Sequence, residues 1–179
     1  MNSMKTRGTV GHAALLGPIA IIFCGLAGPV LAHEGDVVAT TAARQPPPAA
    51  AILQLETVRQ ATARFRDVAQ AEAEGYVDIS VFFPHMGWHY LKPELLDEKF
   101  EATQPELLVY ADDPCGGPRR LVAVEYAVPL ALSKFAPRGF SGVSDVWTAN
   151  VAFQLWTLHA WVFEYNADGV FAAYNPQVP

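Results

Sequence analysis

From Ile52 to Ala73 large apolar side chains return every three or four positions, at Leu55, Val58, Phe65 and Val68, with Ala61 and Ala69 in the same stripe. That period places them on one face of a helix. Thr57 with Gln60 three residues on predicts a capping box, and Gly75 predicts the stop. Arg59, Arg64, Arg66 and Asp67 fall toward the polar side. After Gly75 the pattern changes to β-rich runs separated by turns. Val77–Phe83 predicts a strand ending at Pro84, and Pro93-Glu94-Leu95-Leu96 a helical turn opened by proline. Leu107–Tyr110 and Leu121–Val128 predict two strands of a hairpin with a long loop over Asp112–Arg120. Ala152–Tyr165 predicts a long aromatic strand, followed by an Asn166-Ala167-Asp168-Gly169 turn into Val170–Tyr174.

One helix followed by hairpin-linked strands points to an α+β domain, with the N-terminal helix packed on a curved antiparallel sheet. A small β-barrel of the cupin or lipocalin kind is the alternative. No internal repeat is visible.

The N-terminal third has a different pattern. Residues 1–32 read as a secretory signal peptide: Lys5 and Arg7 first, an uncharged apolar centre through Ala20-Ile21-Ile22-Phe23, then Val30-Leu31-Ala32 as the exit. Cleavage there makes His33 the first mature residue. An uncleaved membrane anchor competes, but Gly17, Pro18, Gly25, Gly28 and Pro29 weaken that helix. Residues 33–51, with Pro46-Pro47-Pro48 and almost no large apolar side chain, read as a flexible leader. Residues 52–179 then form one globular domain.

Cleavage removes two basic residues and no acidic one, taking the net charge from −6 to −8. Nucleic-acid binders need a basic face, so that class is excluded, as is a membrane partner after cleavage. Only Cys115 survives, in Pro114-Cys115-Gly116-Gly117-Pro118, so no disulfide within the mature chain holds the domain. It reads as a free turn cysteine, with an intermolecular disulfide as the sharper alternative. Oligomeric state is not legible.

Three segments stand out for candidate chemistry. His85 and His89 are four apart in Pro84-His85-Met86-Gly87-Trp88-His89-Tyr90. On a helix they would share a face; along a strand they would lie about 13 Å apart, too far for one ion unless Met86-Gly87 bends. Glu125 shares a strand face with Leu121, Ala123 and Ala127, while Val122, Val124, Tyr126 and Val128 form the core face. The flanking alanines leave room beside the carboxylate. The plainer reading is a surface glutamate. His159 lies mid-strand on a face with Thr157, Trp161 and Phe163, where a lone histidine is usually a hydrogen-bonded core residue.

Imidazole plus carboxylate is a ligand set for first-row metals, zinc or copper here. The expectation is that His89, His159 and Glu125 converge, with His85 as a fourth ligand or a partner behind them. A metal-free polar cluster holding a small ligand is the rival within that geometry. His33, as a mature N-terminus, offers an amine and a ring nitrogen to Cu(II), but on a leader without a rigid frame. The chain has no Gly-x-Ser-x-Gly, phosphate-binding glycine loop, His-Glu-x-x-His or Cys-x-x-Cys.

Met86-Gly87-Trp88-His89-Tyr90, Val124-Glu125-Tyr126, Leu158-His159-Ala160-Trp161 and Asn166–Ala172, ending in Asn175-Pro176, together resemble a group of small secreted bacterial proteins of unknown function. The resemblance spans roughly residues 55–178 and implies secretion and a shared fold, with no activity attached. A cupin would carry a His-x-His pair, which this sequence lacks. The functional expectation is therefore an extracytoplasmic, periplasmic or secreted domain that binds a metal or small ligand through a His/Glu cluster. An enzyme using the same cluster for metal-assisted hydrolysis or acid/base work, and a protein-interaction domain with an aromatic docking surface, are the alternatives.

Overall fold

The apolar stripe near the start of the domain does form a helix. In the computed structural model, which describes residues 46–142 and 145–179, helix α1 (Ala49–Thr62) turns Ala51, Leu55, Val58 and Thr62 inward. The helix starts before the expected Ile52, with Pro48 as its first capping residue and the Ile52 amide donating to the Pro48 carbonyl at 3.1 Å. Thr57 is therefore interior rather than a cap, and its hydroxyl donates back to the Leu53 carbonyl at 2.9 Å. The helix also does not run unbroken to Ala73. A 3₁₀ turn over Ala63–Arg66 leads to an extended Asp67, whose carboxylate accepts from the Ala69 amide and caps α2 (Val68–Ala73). Gly75, with a φ of 94°, marks the stop where the sequence placed it.

Six strands follow: β1 (Val77–Phe83), β2 (Gly87–Leu91), β3 (Leu107–Ala111), β4 (Arg120–Pro129), β5 (Thr148–Asn150) and β6 (Leu155–Ala160). They form one antiparallel sheet in the order β1-β2-β3-β4-β6-β5. The sheet is open, with β1 and β5 at its edges, so it does not close into the barrel considered as an alternative. The expected 152–165 strand is shorter. Beyond Ala160 the backbone leaves the ladder, and the Phe163 and Glu164 amides both donate to the Val122 carbonyl. Val170–Tyr174 is not a strand; the Val170 carbonyl accepts from the Trp161 amide.

The two faces of the sheet have different fates. One packs on the helices and buries Tyr90, Leu108, Tyr110, Val124, Tyr126 and Leu158 against Leu55, Val58 and Phe65. Three tyrosines tie this layer together: the hydroxyls of Tyr76, Tyr110 and Tyr126 donate to the carbonyls of Pro105, Phe65 and Ala102. A buried hydroxyl without such a partner would oppose folding by about 1–3 kcal/mol. The opposite face carries a smaller cluster, Val109, Ala111, Val122, Ala123 and Trp161, covered by Val178 of the C-terminal tail.

A β-bulge adjusts β4. Val109 faces Ala123 but Tyr110 faces Leu121, so Val122 is an extra residue in the ladder. Val122 consequently joins Ala123 on the tail side, and Leu121 joins the helix-side core. The simple alternation expected across Leu121–Val128 thus holds only from Ala123 onward. Phe163 likewise packs against the helix-side core instead of sharing a face with His159.

Candidate metal centre

The ladder between β4 and β6 runs without interruption from Val124 to Pro129. Glu125 on β4 lies directly opposite His159 on β6, so their side chains leave the sheet on the same face. Ala123 and Ala127, both fully buried on that face, leave space on either side of the carboxylate. His89 arrives from β2, two strands away. It pairs with Val109, which pairs with Ala123, and its ring reaches diagonally over β3 toward Glu125.

The β1–β2 turn aims that ring. His85 and Gly87 both have positive φ, 65° and 111°. A Cβ on Gly87 would run into the Tyr110 carbonyl, so only glycine lets β2 start this close to β3. The same turn sends His85 the other way. Its Nδ1 lies 3.0 Å from the Val178 carbonyl, and its backbone bonds to Pro179 and Asn175. His85 is thus a clamp on the C-terminal tail and does not join His89, Glu125 and His159. Residue 33 lies outside the described residues.

His89, Glu125 and His159 are the residues that converge. One ligand atom from each lies within 4.8 Å of the other two, and their side chains are only 4–7% exposed. His89 Nε2 is 3.4 Å from Glu125 Oε2, and His159 Nε2 is 3.7 Å from Oε1. Both separations exceed a hydrogen bond, which for N–H···O closes to about 2.7–3.2 Å. His89 Nδ1 sits 3.2 Å from the Val81 carbonyl. A carbonyl only accepts, so that nitrogen carries the proton and Nε2 faces the cluster with a free lone pair. His159 Nε2 is buried with no hydrogen-bond partner among the described residues.

The electrostatics fit neutral groups around an acid that lacks a cation. Among the described residues, Glu125 lies against these two histidines and forms no ion pair with a lysine or arginine. Burial, and then the Glu106 charge, push its carboxyl up to about 8. Burial, followed by the proximity of His89, pulls His159 down to about 3, and burial also lowers His89. At neutral pH without a counter-ion, the imidazoles are uncharged and the acid holds its proton.

A cavity of about 150 Å³ opens over the three groups. Its wall is mainly apolar, with Val81, Phe83, Leu107 and Leu155, and it includes Tyr174 and the polar residues Thr157 and Asn150. Sequence reasoning missed most of this wall. Val81 and Phe83 stand two apart on a predicted strand, so alternation offered a signal for them. Asn150 and Tyr174 offered none, because loop geometry places them. Glu106 was also missed: it is buried with Oε2 accepting from the Ala127 amide at 3.0 Å, and burial pushes its carboxyl up to about 8.

No family model, curated protein or solved structure matches the chain.

Proposed function

We propose that this is an exported protein that binds one divalent first-row transition metal ion through His89 Nε2, His159 Nε2 and the Glu125 carboxylate. The observation that carries the reading is the set of contacts that are too long for hydrogen bonds and suited to ligands. At metal–ligand bonds of about 2.0–2.1 Å, neighbouring ligands of a tetrahedral ion stand roughly 3.3 Å apart. The 3.4 and 3.7 Å separations are close to that edge, and the largest, within 4.8 Å, closes by at most about 1.5 Å. An ion would give the orphaned Nε2 of His159 a partner and supply the cation that buried Glu125 lacks. Two imidazoles and one carboxylate suit zinc, and also ferrous iron. Three protein ligands leave a coordination position toward the cavity. Export rests on the charged start, apolar centre and small-residue exit of residues 1–32.

Elemental analysis of protein purified without chelators tests this. About one equivalent of metal is expected, and saturating zinc at a hundredfold over Kd should stabilise the stripped protein by about 2.7 kcal/mol, or roughly 5–10 °C in Tm. Under about a tenth of an equivalent, with no gain in Tm, would contradict the proposal.

A second reading has its own observation. A glutamic acid pushed up to about 8 beside two neutral imidazoles, in a reachable cavity, has the proton affinity of a general acid at neutral pH. It predicts a metal-free protein, so the same elemental analysis separates the two readings.

A further inference from the structure

We infer that the position left open at the centre takes a small monocarboxylate with an apolar body about the size of benzene. This deepens the metal-binding proposal and rests on it. Three features of the site converge on that ligand.

The first is charge. A divalent ion with one glutamate and two neutral imidazoles carries a net single positive charge. Among the described residues, Glu125 is the only charged side chain lining the cavity. A monoanion brings the buried site to neutrality. A dianion leaves an uncompensated negative charge there and an ammonium adds a positive one, both opposed by the penalty for burying unpaired charge.

The second is size and surface. Cavities of about 150 Å³ with apolar walls hold a benzene-sized molecule. Val81, Phe83, Leu107 and Leu155 supply that surface. Hydroxide or acetate would satisfy the charge and leave the apolar wall uncovered.

The third is the direction of polar groups. Thr157 lies two residues before His159 on the same strand face, roughly 7 Å along the strand, and lines the cavity with Asn150. A hydroxyl and an amide there are donors for the carboxylate oxygen that does not bind the ion.

The test loads the full exported protein with Co(II), whose visible absorption reports its ligands, and titrates benzoate, acetate, terephthalate and benzylamine. Benzoate should change the spectrum and bind at least about tenfold more tightly than acetate, since the ring buries apolar surface. Terephthalate, with the same body and a second charge, should bind at least about tenfold more weakly than benzoate, and benzylamine should leave the spectrum unchanged. Bound cobalt whose spectrum ignores benzoate up to about 10 mM would overturn the inference and leave the metal site standing. So would acetate or terephthalate binding as tightly as benzoate. Failure of cobalt itself to bind would overturn both, and the two failures are therefore distinguishable.

Discussion

Among single residues, His159 gives the sharpest test of the metal centre. Its Nε2 is buried and unpartnered, so its value lies in what it can bind. Losing a group that merely orients a ligand weakens metal binding by about 10–100-fold. Replacing the ligand itself, His159→Ala, should therefore weaken zinc binding by more than about a hundredfold in a competition titration. His85→Ala should leave zinc affinity unchanged and lower stability by about 1 kcal/mol, since its ring bonds to the Val178 carbonyl. The metal-free protein should also show a characteristic pH response. Glu125 and Glu106, held up to about 8, keep protons that the unfolded chain releases near 4.5, so they stabilise most at low pH and lose that contribution as pH rises to 8. His159, pulled down to about 3, refuses a proton that the unfolded chain takes up near 6.5, so its contribution is lost as pH falls from 6.5 to 3. The trends oppose one another between about 4.5 and 6.5 and leave a falling limb from 6.5 to 8, about 1 kcal/mol per pH unit for each glutamate. Urea unfolding should show it, and Glu125→Gln or bound zinc should roughly halve it. Stability that is flat or rising over that interval would contradict the assignment of Glu125.

Among the elements, the β1–β2 hairpin matters most, because it alone aims His89. Gly87→Ala should cost about 2 kcal/mol or more and also weaken zinc binding, since β2 must move away from the Tyr110 carbonyl. Gly116→Ala is the control. It too has positive φ, but no atom lies within 4 Å of the added Cβ, so the expected loss is about 1–2 kcal/mol with zinc affinity intact. Thermal melts with and without zinc check both. The same elements show what the sequence could reveal. β1, β3 and β4 were legible because β-rich runs are bounded by Pro, Asp and Gly, and the helical stripe because its period is strong. β2 was not, since Gly87-Trp88-His89-Tyr90-Leu91 has no clear alternation and follows a turn whose hand depends on two positive φ values. The Val122 bulge was equally hidden, because a run of apolar residues reads the same with or without an extra one.

At the scale of the molecule, helices cover one sheet face and leave the other to a short tail and a cavity, and that division makes room for a site. The convergence of His89, Glu125 and His159 was anticipated only from their residue types and apolar surroundings; strand order, which a sequence does not print, brings them together. Edman degradation of the exported protein should read His-Glu-Gly-Asp from His33, and a chain that still begins at Met1 would contradict cleavage after Ala32. The metal claim is tested most directly by anomalous diffraction from crystals of the zinc-loaded protein. A single zinc peak is expected about 2.0–2.2 Å from His89 Nε2, His159 Nε2 and a Glu125 oxygen. A zinc-loaded crystal with no peak among those three side chains, or with its peak at His85 or His33, would contradict it.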